Sequence, residues 1–76
     1  SDSFNAKVLS RYYPPMILEN ILRAKEIMGG KNLLKTKQGF TQHIKSKYYD
    51  INYKVVTKKV LFRDKINQIK IQIIIQ

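Results

Sequence analysis

The 76 residues include no cysteine, which excludes a disulfide framework, a thiolate zinc site and thiol catalysis together. Acidic side chains are scarce as well: five Asp and Glu stand against fifteen Lys and Arg, leaving a net charge of +10. His43 is the only histidine, so with no cysteine and no second histidine a transition-metal site lacks ligands. No apolar run approaches the roughly eighteen residues that cross a bilayer as a helix, and charges interrupt every hydrophobic stretch, so no membrane partner is expected. The opening Ser1-Asp2-Ser3 has neither a Met nor an apolar leader core. The chain is therefore expected to be one domain of a longer protein.

What remains is ordinary in hydrophobicity and extreme in charge. A 43% hydrophobic share with 11% aromatic residues suits a folded domain. The length permits one domain with one modest core. Residues 1–12 read as an N-terminal extension and 13–76 as the folded unit. Twelve lysines against three arginines, with eleven isoleucines and two alanines, fit an AT-rich coding bias. A charge of +10 on so short a chain is self-repulsive unless a polyanion is at hand, which favours a binder over an enzyme.

Along the chain, a short helix is expected around Asn5–Ser10. Pro14-Pro15 then marks an entry point, since proline suits the first turn of a helix. From Met16 to Met28 the pattern predicts an amphipathic helix. Ile17, Ile21, Ala24 and Met28 fall at i, i+4, i+7 and i+11, and Gly29-Gly30 supplies a stop. Asn32–Lys35 reads as a link with one extended rung. Thr36 is a plausible N-cap for a second helix over Lys37–Tyr49, in which Phe40, Ile44 and Tyr48 repeat every four residues and Gly39 costs about 1 kcal/mol. Tyr53–Asn67 is ambiguous. Val55, Val56, Thr57 and Val60 favour a strand, but the charges do not alternate. As a helix it would place Lys54, Lys58 and Lys65 within about 40° of each other. After Asn67, Ile69, Ile71, Ile73 and Ile75 face one way, against Gln68, Lys70, Gln72 and Gln76, which predicts a strand with one buried face.

No catalytic constellation emerges. The carboxylates are scattered, and Glu19 and Glu26 are placed to pair with nearby cations on the first helix. Gly29-Gly30-Lys31 lacks the spacing of a phosphate loop. We expect no catalytic residue, no metal, no cofactor and no small-molecule substrate. The basic residues carry more: only Asp50 and Asp64 offset eleven cations between Lys31 and Lys70. Several lysines on one face would release counterions from duplex DNA, making affinity fall steeply with salt. Tyr48, Tyr49 and Tyr53 are weighed as stacking platforms for unpaired bases but fit a core or rim role better.

The stretch Tyr13-Pro14-Pro15-Met16-Ile17 through Lys45-Ser46-Lys47-Tyr48-Tyr49 resembles the globular domain of the linker histones, a winged-helix family. Ile17, Ile21 and Leu22 match its first helix; Phe40, Ile44 and Tyr48 or Tyr49 match its second. The resemblance covers about half the chain. It implies a mainly α fold with a three-helix core and a small C-terminal sheet, and a third helix over Tyr53–Ile66 that enters the major groove. It implies DNA contacts from Lys54, Lys58, Lys59, Arg63 and Lys65, and backbone contacts from Lys35, Lys37 and Lys45; Lys47, beside the second helix, is counted with the DNA-binding residues. No glycine follows Gly39 to turn a wing. An alternative fold therefore stands beside it: two helices and then a hairpin, with Val55–Phe62 paired to Ile66–Ile75.

The expected function is a non-enzymatic duplex-DNA-binding module of a nuclear or chromatin protein, or of a bacterial or viral nucleoid protein. An accessory subunit that brings a larger complex to DNA is one form such a module takes. Two alternatives are kept open: a protein-interaction domain that docks other subunits through its isoleucine strand, and a binder of single-stranded nucleic acid or RNA.

Overall fold

A computed structural model describes residues 13–75. The extension 1–12, with the helix expected at Asn5–Ser10, lies outside the described residues. The rest is an antiparallel meander of five strands in sequence order: β1 (Leu33–Lys35), β2 (Phe40–Lys45), β3 (Asp50–Val56), β4 (Lys59–Asp64) and β5 (Ile69–Ile74). One helix, α1 (Ile17–Leu22), precedes them, followed by a 3-10 turn at Met28–Gly30. The fold is mainly β. Among the described residues the winged-helix arrangement of three helices is not formed, and neither is the alternative of two helices and a hairpin.

The strands show how the pattern misled. Phe40 and Ile44 are four apart, which suits a helix, but they are also two strand steps apart. The residue between them on the inner side is Gln42, a buried polar group that hides the alternation. Its amide earns the position by accepting from the Ile27 N–H at 2.9 Å and donating to the carbonyls of Ile27 and Lys31 at 3.0 and 2.8 Å. Tyr48, assigned to the same helical repeat, lies in the β2–β3 turn, where its N–H donates to Ser46 Oγ. Gly39 occupies the β1–β2 turn beside β3, and a Cβ there would lie 2.0 Å from the Val55 carbonyl oxygen.

The expected third helix, Tyr53–Ile66, is instead the β3–β4 hairpin and the turn after it. Its charges fail to alternate because the phase resets at Thr57-Lys58, between the paired Val56 and Lys59. Within each strand alternation is clean: Ile51, Tyr53 and Val55 are inward on β3, and Val60, Phe62 and Asp64 on β4. Lys54, Lys58 and Lys65 therefore form no helical stripe. They lie on β3, in the β3–β4 turn and in the β4–β5 turn.

The first helix ends six residues before its expected limit at Met28. Ala24 takes the left-handed conformation at φ 57, Lys25 N–H bonds back to Asn20 O at 2.9 Å, and Ala24 N–H to Ile21 O at 3.1 Å. This pair of bonds is the Schellman closure, here built on alanine where glycine is usual. The sequence signal at Gly29-Gly30 marks a later turn.

Helix α1 covers one side of the sheet. Ile17, Ile21 and Ile27 pack with Ile44, Ile51, Tyr53, Val55, Val60 and Phe62 in one cluster, each such side chain contributing about 1.5–3 kcal/mol on burial. Five aromatic rings run through it edge to face: Tyr49, Tyr13, Phe62, Tyr53 and Phe40, with successive centroids 5.6, 6.0, 6.2 and 5.7 Å apart. Burial pushes the Tyr53 hydroxyl up to about 12, and it donates to Lys25 O at 2.7 Å.

Candidate functional site

Alternation on the strands has a second product, the side of the sheet that α1 does not cover. Register places His43, Asn52, Arg63 and Lys70 in one row across β2 to β5. Thr41, Lys54, Leu61 and Gln72 form the next row, and Val56, Lys59 and Ile74 a third on β3 to β5. Lys45 stands opposite Asp50 at the other end. Directly opposed side chains have Cβ atoms about 4.5–5.5 Å apart, and diagonal neighbours about 7–8 Å. Lys54, Arg63 and Lys70 thus form one contiguous group.

A groove of about 370 Å³ runs over this face, its lining including Lys54, Arg63, Lys70, His43, Asn52 and Leu61. Five cations (Lys45, Lys54, Lys59, Arg63 and Lys70) share the face with one carboxylate, Asp50. That carboxylate is engaged by His43 Nε2 at 3.1 Å. Arg63 and Lys70 face each other directly, an arrangement that destabilises a sheet. Among the described residues neither they nor Lys54 has a carboxylate partner.

The other acidic groups of the described residues lie off this face. Glu19 pairs with Arg23 at 3.4 Å on α1. Glu26 lines a separate recess with Lys25, Leu33 and Lys35. Asp64 is wholly buried and accepts from the Tyr13 hydroxyl, the N–H groups of Asp50, Ile66 and Asn67, and Asn67 Nδ2. Burial alone would raise its pKa, but the hydrogen bonds from Tyr13, Asn67 and the main chain outweigh that and hold it below the ordinary carboxylate value. Burial and the Asp64 carboxylate both push the Tyr13 hydroxyl well above its usual range. Asp64 is thus a neutral phenol's acceptor and a turn cap, and faces away from the outer cations.

The residues expected to contact DNA divide three ways. Lys45, Lys54, Lys59 and Arg63 are on the open face. Lys47 and Lys65 lie in turns at one end of the sheet, Lys37 and Lys58 in turns at the other. Lys35, opposite Phe40 on the helix-covered side, is apart from the group. Lys70 is the residue the reading passed over. Its place opposite the isoleucines of the C-terminal alternation was the available signal, but only the register sets it beside Arg63.

The aromatic residues are placed differently from the cations. Tyr13 and Tyr53 are buried and Tyr49 is partly buried against them, and among the described tyrosines Tyr48 alone is exposed, at 48%, with Lys47 Nζ 5.1 Å from its ring centre. The open face carries no aromatic ring among the described residues. Nor do the described residues hold a group of three His, Cys, Asp or Glu side chains suited to a metal. None of their helices is long and apolar enough to cross a membrane. No protein-family model, curated protein or solved structure matches this chain.

Proposed function

We propose that this chain is a non-enzymatic module that lays the open face of its sheet against the phosphate backbone of duplex DNA. The observation that carries the reading is the direct opposition of Arg63 and Lys70, beside Lys54, with no carboxylate partner among the described residues. Self-repulsion of this kind is relieved when phosphates supply the missing charge. A six-residue strand is about 20 Å long, and duplex DNA offers one charge per about 1.7 Å of axis, so on the order of a dozen phosphate charges fall within the length of the face.

Phosphate contacts position a protein without reading sequence. The module therefore binds with little base preference, and it suits a nuclear, chromatin or nucleoid protein, or a subunit that brings a larger assembly to DNA. Single-strand binding combines a cationic groove with aromatic side chains on which the bases stack. The open face lacks aromatics among the described residues, which favours duplex over unpaired ligand.

A shift assay with a 20-base-pair duplex at about 50 mM salt tests the proposal. Micromolar or tighter binding is expected, with a log–log salt slope of several units. Charge reversal at Lys54, Arg63 or Lys70 should weaken binding at least tenfold more than reversal at Lys25 or Lys35. Absence of retention at that salt, or equal effects from the two sets, refutes it.

A further inference from the structure

The two edges of the sheet are unlike. β1 is three residues long, a common way of blunting an edge. β5 has six residues in unbroken register with β4 and no proline. Among the described residues it has a strand on one side only. The Ile75 N–H donates to Lys58 O, so Ile69, Ile71 and Ile73 turn their main-chain groups toward β4. Lys70, Gln72 and Ile74 turn theirs outward. The side chains of Ile69, Ile71 and Ile73 are only half buried, Ile74 is 57% exposed and Ile75 42%.

We infer that this edge pairs with a second copy of the chain, antiparallel, about a two-fold axis through Gln72. In that register Gln72 meets its own counterpart, Ile71 meets Ile73, Ile69 meets Ile75, and Lys70 meets Ile74. Every inward isoleucine finds an isoleucine, and Lys70 can lay its methylene stem on Ile74 while its ammonium stays in water. On a chain of net charge +10 most self-contacts oppose like charges. Here no two lysines face each other. The sequence of this edge is complementary to itself, which is what a two-fold interface requires and what selects a second copy over an unrelated strand. An axis normal to the sheet keeps both open faces on the same side, so the two cationic surfaces join into one.

The test uses the chain without nucleic acid. Light scattering or sedimentation from about 1 µM to 1 mM should show the mass rise from 9.0 kDa toward twice that value. The association should strengthen with salt, as repulsion between the copies is screened. That is the opposite of the salt response of DNA binding, so either proposal can fail without the other. Gln72→Lys sets two ammonium groups face to face on the axis and should weaken association at least tenfold. Because the chain has no cysteine, Gln72→Cys provides a sole thiol. At a hydrogen-bonded pair the Cα atoms are about 5.5 Å apart, within disulfide reach. At residue 70 the two copies are offset by four positions, about 13 Å. Oxidation should therefore cross-link Gln72→Cys at least tenfold faster than Lys70→Cys. A mass fixed at 9.0 kDa up to 1 mM overturns the inference, as do equal cross-linking rates at the two positions. So does slow amide exchange at Lys70, Gln72 and Ile74 in a 9.0 kDa particle, which would assign the edge to residues 1–12.

Discussion

On β4, Val60, Phe62 and Asp64 turn inward and are almost completely buried, whereas Lys59, Leu61 and Arg63 turn outward and keep contact with water. The same contrast holds on β3 between Ile51, Tyr53 and Val55 and their neighbours Asn52 and Lys54. Two sets of side chains interleaved on one backbone thus meet different demands. The inner set is shaped by packing against α1, and its polar members, Gln42 and Asp64, are fully hydrogen-bonded. The outer set tolerates a repulsive pair that the inner set could not. Core packing and surface charge are therefore separable here residue by residue.

The sharpest way to break that separation is to truncate adjacent residues of one strand. Phe62→Ala removes a ring that touches both Tyr13 and Tyr53 and should cost about 3–5 kcal/mol. A domain of this size holds roughly 4–11 kcal/mol in total, so the variant should lose from about a quarter to all of its stability. Leu61→Ala, one residue away on the open face, should cost less than about 1 kcal/mol. Urea unfolding of both variants measures the difference, and equal losses would mean that the two faces are not energetically distinct.

Acid titration probes the inner set through Asp64. Its folded pKa is lowered, so its contribution to stability is complete above the unfolded value of about 4. That contribution is lost as pH falls through the lowered folded value. Thermal melting followed from pH 7 to 2 should show this loss, and Asp64→Asn should be less stable at pH 7 and show a shallower fall below pH 4. A parallel pH profile in the variant would mean that other carboxylates set the acid response.

How much of this was legible follows from which residues obey a local rule. The isoleucine alternation that became β5 was readable because every inward position is the same apolar residue. β2 was not, because Gln42 stands where an apolar residue would reveal the period, and its partners are main-chain atoms of residues 27 and 31, remote in sequence. The β3–β4 hairpin was hidden because Thr57-Lys58 holds none of the Gly, Asn or Asp residues that signal a two-residue turn. The other three strand connections lean on side-chain oxygens, of Thr36, Ser46 and Asp64. Excess positive charge was plain from composition, but composition holds no information about cross-strand neighbours. Arg63 and Lys70 become a pair only through a register.

The end of α1 offers a smaller test, on the element that makes the inner face inner. Ala24 holds φ 57 to complete the helix closure, a conformation that costs a non-glycine residue about 1 kcal/mol. Ala24→Gly should relieve this and stabilise the domain by up to about 1 kcal/mol, raising Tm by several degrees. The partly buried methyl packed against the core is a modest opposing loss. A clear decrease in Tm would show that the methyl contact outweighs the backbone strain.

The smallest expected change in stability comes from the outer set, where it carries the most information. Arg63→Gln removes one member of the opposed pair with Lys70 while keeping a polar side chain of some length. Loss of repulsion and loss of the arginine stem act in opposite directions, so urea unfolding should move by less than about 0.5 kcal/mol, with the sign favouring the variant at low salt. The same substitution should reduce the salt slope of duplex binding by about 0.9 for the lost phosphate contact. A large stability loss together with an unchanged slope would reverse the assignment, making Arg63 part of the framework rather than part of the binding surface.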